Sequence, residues 1–174
     1  MALLTVGHGP QGRGALGARL TGAGISTLVD VRRFPGSRNN PDVQREALEE
    51  WLPALGIGYR WDDRLGGRRR LPPGEPVEDD WWTVAQFAAY AAHTRAPEFT
   101  AALDEILAEV AGSATVAVMC SESVWWRCHR RLIADVVVLG RGLSVRHLMP
   151  DGRLAPHRPS EGAVVRDGAL HWRA

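Results

Sequence analysis

Apolar residues in this chain gather in short unbroken runs, separated by longer stretches with helical spacing. Leu3 to Val6 is one such run and ends at Gly7-His8-Gly9. Ser26 to Val31 is another, without polar alternation before Asp30. Thr115 to Met119 is the clearest and leads into Cys120-Ser121-Glu122. Such runs read as strands of a parallel sheet covered on both faces. Ile57 to Trp61 and Leu143 to Leu148 read as two more. Between the strands the period changes. Arg13 to Ala23 carries Leu16 and Leu20 at helical spacing, and Asp42 stands where it would cap a helix bearing Leu48, Trp51, Leu52 and Leu55. Trp82 to His93, Pro97 to Ala111 and about Cys128 to Leu139 predict three further helices, with Pro97 suited to a first turn.

Strands alternating with helices predict an α/β fold: a mostly parallel sheet flanked by helices on both faces, a Rossmann-like three-layer arrangement. Residues 62–80 carry no periodic pattern, and a loop that long in a compact domain is usually functional. In the tail, Asp167-Gly168 separates two alternating segments and predicts a hairpin. There is no repeat and no sign of a second hydrophobic core. One domain over residues 1–174 is expected, with 150–174 as an extension.

Composition narrows the function classes. The net charge is only +1, so nothing pulls the whole chain toward nucleic acid. All 21 basic residues are Arg, which rules out Schiff-base lysine chemistry and leaves planar forks suited to carboxylates and phosphates. The abundance of Ala, Gly, Val and Pro accounts for the missing Lys equally well through codon bias. No apolar run reaches the roughly 20 residues of a membrane span, so no membrane partner is expected. The first residues lack the basic start of a signal peptide. Two closely spaced cysteines are no secreted framework, so a cytoplasmic location with both thiols free is expected.

Ligands of open α/β sheets bind outside the carboxyl ends of the strands. Three predicted strand ends carry costly polar groups: His8 after the first, Asp30 and Arg32 after the second, Cys120 and Glu122 after the Thr115 run. His8 between two glycines is a candidate proton carrier, or a structural donor to a loop carbonyl. Asp30 and Arg32 fall on one side if the strand continues, where Arg32 clamps an anion oriented by Asp30, or the two pair. Arg33 would then point away. Cys120 ahead of a helix is a candidate nucleophile, or a small buried hydrophobe. Arg127 lies off the Cys-x5-Arg spacing of cysteine phosphatases. Glu122 is a candidate base, a cap or a partner of Arg130. Cys128, His129 and Arg130 open a helix and fan out by about 100° each, so the three do not face one point. Arg130 is placed at the site, with His129 divided between site and scaffold. Arg38 is a candidate phosphate contact. The Arg68-Arg69-Arg70 run reads as a solvated loop, and the pairs Trp81-Trp82 and Trp125-Trp126 as divided between core and surface.

The segments Thr5-Val6-Gly7-His8, Leu28 through Arg38, Leu65-Gly66-Gly67, Met119-Cys120-Ser121-Glu122 and Cys128 through Asp135 together resemble domain-of-unknown-function family 488. The likeness spans roughly residues 3–148, in the expected order. Gly9 departs from it, since the family more often has Ser there. The resemblance implies the fold and the site and carries no settled activity.

Cys120, Cys128, His129 and His8 supply metal-binding atoms, but their spacing matches no common zinc pattern, and neither metal nor cofactor is assigned. The leading expectation is an enzyme acting on a phosphate-bearing or otherwise anionic substrate, a nucleotide or nucleic acid included. His8, Cys120 and Glu122 would do the chemistry; Asp30, Arg32, Arg38, Cys128, His129 and Arg130 would bind. The alternatives are a non-catalytic module for nucleic acid or a partner, using Arg68 to Arg70 and the exposed Trp side chains, and thiol-dependent sulfur or redox chemistry at Cys120 and Cys128.

Overall fold

The fold rests on a computed structural model that describes residues 1–174. The elements run β1 (Ala2–Gly7), α1 (Arg13–Gly22), β2 (Thr27–Asp30), α2 (Arg45–Trp51), β3 (Gly58–Trp61), α3 (Ala85–His93) and α4 (Pro97–Ala111). Then come β4 (Val116–Cys120), α5 (Arg130–Asp135), β5 (Ser144–Leu148), β6 (Leu154–Pro156), β7 (Ala163–Arg166) and β8 (Ala169–Trp172). Six strands form one sheet in the order β3-β2-β4-β1-β5-β6, parallel except for β6; β7 and β8 pair as a separate hairpin. No helix is long and apolar enough to cross a membrane.

Because a strand's side chains alternate between faces, the sheet splits the apolar residues in two. Leu4, Val6, Leu28, Ala117 and Met119 pack with Leu16, Leu20, Leu48 and Trp51 of α1 and α2 and with Leu52 just beyond. Leu3, Val29, Val116, Val118 and Val145 pack with residues of α3, α4 and α5, such as Tyr90, Phe99, Leu103 and Leu132. The expectation of a single core is therefore corrected: a sheet covered on both faces carries one on each. The Asp-Gly turn forms as expected, with φ of 49° at Asp167 and 77° at Gly168.

Several element boundaries differ from expectation, each through a tertiary contact. Asp42 does not cap α2, whose N-cap is Gln44. It accepts instead from the Arg13 backbone N–H at 2.9 Å, and so caps α1 from a distant loop. Leu55 is 43% exposed and lies outside the stripe, because α2 stops at Trp51. Helix α3 starts at Ala85, not Trp82: the Trp81 N–H donates to the Trp172 carbonyl, and Trp82 packs on Trp172, so this segment docks the tail. The last helix begins at Arg130 and ends in a π-helical turn over Val136–Gly140. The short strand β6 carries no sequence signal; it forms by returning antiparallel to β5.

Candidate functional site

The carboxyl ends of β1, β2 and β4 lie side by side, with Gly7 opposite Cys120 and Asp30 opposite Met119. The ladder runs on past the strands: the His8 N–H donates to Cys120 O at 3.0 Å and the Gly9 N–H to Ser121 O at 2.9 Å. Position 7 has no room for a Cβ, which would collide with the Glu122 carbonyl oxygen and stand 2.7 Å from Arg130 Nη2. Gly9 has φ of +53°, and the Ser123 hydroxyl occupies the space a side chain there would need. Beyond these strand ends opens a cleft of about 320 Å³, within the usual range for small-molecule sites.

His8, Arg32, Cys120, Glu122, Cys128 and His129 all line this cleft. Three other candidates do not. Asp30 is fully buried and saturated: it accepts from Arg32 Nε (2.8 Å), Arg32 Nη2 (2.7 Å) and the Tyr59 hydroxyl (2.6 Å). Arg38 is exposed on its loop, off the cleft wall. Arg130 is 1% exposed and runs beneath the cleft, where Nη2 donates to Glu122 O at 2.6 Å and Nη1 to Thr5 Oγ1 at 3.3 Å. It braces the Glu122 turn from below. Burial, with Arg19's charge nearby, pushes the Arg130 guanidinium down to about 9. Helix α5 starts at Arg130, so its side chain leaves about 100° away from that of His129.

His8 is held on both sides. Nδ1 donates to the Gly9 carbonyl at 2.7 Å, which leaves Nε2 as the acceptor of Arg32 Nη1 at 3.3 Å. Burial and the Arg32 charge lower its pKa, and the ring is neutral at pH 7. Arg32 spends its other donors on Asp30 and on Val43 O (2.7 Å), so it orients His8 more than it offers a free fork. His129 packs against Tyr90, with ring centres 5.0 Å apart, and burial followed by the Arg130 charge pushes it down to about 3. Its Nε2 has no partner.

The sulfurs of Cys120 and Cys128 face each other on the cleft wall, with Cα atoms 7.7 Å apart, wider than a disulfide spans, so the two stand as a close pair of thiols. The physical reason is local. Residues 121–127 leave β4, make a 3-10 turn at Trp125–Arg127 and bring Cys128 back over the strand end.

The cleft wall also holds Arg33, Phe34, Arg68 and Arg127, which were not among the site candidates. Strand β2 ends at Asp30, so the alternation that would turn Arg33 away does not reach it; its Nη1 donates to Arg68 O at 3.1 Å. Arg33, Arg68, Arg69, Arg70 and Arg127 all line this cleft or the recess beside it. None has a carboxylate within ion-pair distance, whereas Arg45, Arg60, Arg64, Arg95 and Arg141 each do. Burial and the charge of Arg33 lower the Arg69 pKa, as expected of crowded cations. One signal was available: no acidic residue lies between Gly66 and Gly74, across the whole arginine run.

Residues 14–137 match the profile of Domain of unknown function DUF488. The chain belongs to the DUF488 family. No curated relative and no solved structure matches it. The DUF488 segment contains Arg32, Arg33, Cys120, Glu122, Cys128 and His129, and His8 precedes it. Within this DUF488 cleft no group of three or more His, Cys, Asp or Glu is arranged to hold a metal ion.

Proposed function

We propose that the protein is an enzyme acting on a phosphate-bearing or otherwise anionic substrate bound in this cleft. The observation that carries the reading is the gathering of unpaired arginines at one opening, in a chain of net charge +1. Like charges at close range repel, and an anion between them relieves that repulsion. Arg33, Arg68 and Arg127 take the anion. His8, neutral and on the cleft wall, takes a proton through Nε2 once a substrate hydroxyl or water displaces the Arg32 contact. Glu122 on the neighbouring loop is a second proton carrier. Cys120, beside Cys128 on the same wall, is a candidate nucleophile in its thiolate form.

The test is calorimetric titration with inorganic phosphate and nucleoside monophosphates, then turnover on phosphomonoesters and phosphodiesters. Arg127→Ala and Arg68→Ala, both on exposed side chains, each weaken binding roughly tenfold, the worth of one charge-assisted bond. His8→Gln keeps binding and loses turnover. Because His8 acts as the neutral base and its pKa is lowered, the rate is flat at neutral pH and falls only in acid. Absence of saturable anion binding at millimolar concentration ends the proposal. Binding without turnover on any substrate supports the non-catalytic module instead. The Cys120–Cys128 pair on the cleft wall favours a thiol-dependent second reading, checked by alkylation before and after mild reduction.

A further inference from the structure

Beside the cleft lies a second recess of about 540 Å³, walled by Arg33, Phe34, Arg68, Arg69, Arg70 and Gln86. Arg33, Phe34, Arg68 and Gln86 line both spaces, so the two adjoin. No carboxylate lines the recess. Phe34 stands on the shared wall, 62% exposed, with the guanidinium carbons of Arg33 and Arg68 at 5.7 and 5.9 Å from its ring centre. The lip is fixed in place. Arg68 adopts a left-handed φ of 57°, its carbonyl accepts from Arg33, and Arg69 is tied to Gly66 O and Asp63 O. Arg68 and Arg70 are left exposed to solvent.

We propose that this recess is an extension subsite for single-stranded nucleic acid: a base stacks on Phe34, the flanking phosphates rest on Arg68 and Arg70, and the nucleotide in the cleft is part of a strand. The inference rests on the anionic-substrate reading and extends it from a small molecule to a polymer. Cation–π contact with Arg33 and Arg68 holds the Phe34 ring in place, and a phosphate makes no use of its exposed face. A base does, because stacking on an aromatic beside a charged track is how single strands are held without sequence preference. A duplex hides the base faces that such a ring needs.

Fluorescence anisotropy with labelled ten-nucleotide oligothymidylate and oligouridylate tests this, with thymidine monophosphate and inorganic polyphosphate of matched charge as competitors. The oligomers bind at least roughly tenfold tighter than the monophosphate, with affinity falling as salt rises. Phe34→Ala weakens oligomer binding roughly tenfold and leaves inorganic phosphate binding unchanged. The double replacement Arg68→Ala and Arg70→Ala lowers the log–log salt slope by about 1.4, near 0.7 per lost phosphate contact. Oligomers that bind no tighter than the monophosphate, or that ignore Phe34→Ala, or that are matched by polyphosphate, overturn the proposal. If phosphate and the monophosphate bind while the oligomers gain nothing, only this extension falls. If none of them binds, the anionic-substrate reading falls with it.

Discussion

Gly66 and Gly67 show how two missing Cβ atoms shape the cleft. A Cβ at position 66 stands 2.9 Å from Arg33 Cα, and one at position 67 stands 2.9 Å from His129 Nδ1. The first obstacle is backbone and cannot yield; the second is a ring held between Tyr90 and the loop. Gly66→Ala therefore costs more than Gly67→Ala, roughly 3 against 1 kcal/mol in the usual range for overpacking. Gly67→Ala also shifts His129 and weakens anion binding. Urea unfolding of both variants checks the order; equal and negligible losses contradict the packing. The sequence displays these glycines without their reason, because Arg33 and His129 are distant in the chain. At the same scale, that His8, Arg32, Cys120 and Glu122 would line one cleft was legible from strand ends alone. The placing of Arg130 was not, since its direction depends on where α5 begins.

At the scale of elements, strands and their order of polarity were legible, while caps and docking contacts were not. Asp42 looks like the cap of the helix that follows it, and serves α1 instead. The tail shows the same blindness more strongly. Asp135 at the end of α5 is fully buried and accepts from His157 Nε2 (2.7 Å), the Ser160 N–H (3.0 Å) and Trp172 Nε1 (2.8 Å). His157 Nδ1 then accepts from His147 Nε2 at 2.9 Å, and His147 Nδ1 from the Thr5 hydroxyl at 2.6 Å. One proton per ring satisfies the whole chain. It fastens residues 150–174 to the sheet through partners that no local pattern connects. Asp135→Ala strands three donors at once and costs about 3 kcal/mol or more. Limited proteolysis of that variant cuts first between residues 154 and 174, while cleft anion affinity stays within twofold. A tail no more sensitive than in the parent protein contradicts the latch.

For the molecule as a whole, the convergence of three strand ends followed from topology, since parallel strands share one carboxyl edge. The electrostatic character of that edge did not follow. Net charge near zero hides it, because the sum over the chain says nothing of where Arg33, Arg68, Arg69, Arg70 and Arg127 gather without acidic partners. Desolvation lowers four histidines in the fold, and this gives a whole-molecule test. Burial, with His157 and Arg130 nearby, pushes His147 down to about 2 in the folded protein, against an ordinary 6.5 when unfolded. Below pH 6.5 the unfolded chain takes up a proton that the folded chain refuses, so stability falls as pH drops from there toward 2. Between pH 7 and 5 His147 alone removes about 2 kcal/mol of unfolding free energy. His129, His8 and His93 are lowered too and act with the same sign. Urea unfolding across this range therefore gives a fall of at least that size, and His147→Gln shrinks the fall by about 2 kcal/mol while lowering stability at pH 7. A flat profile from pH 7 to 5 means that these rings are not held neutral in a dry interior, and the chain from Asp135 to Thr5 is then not the one described.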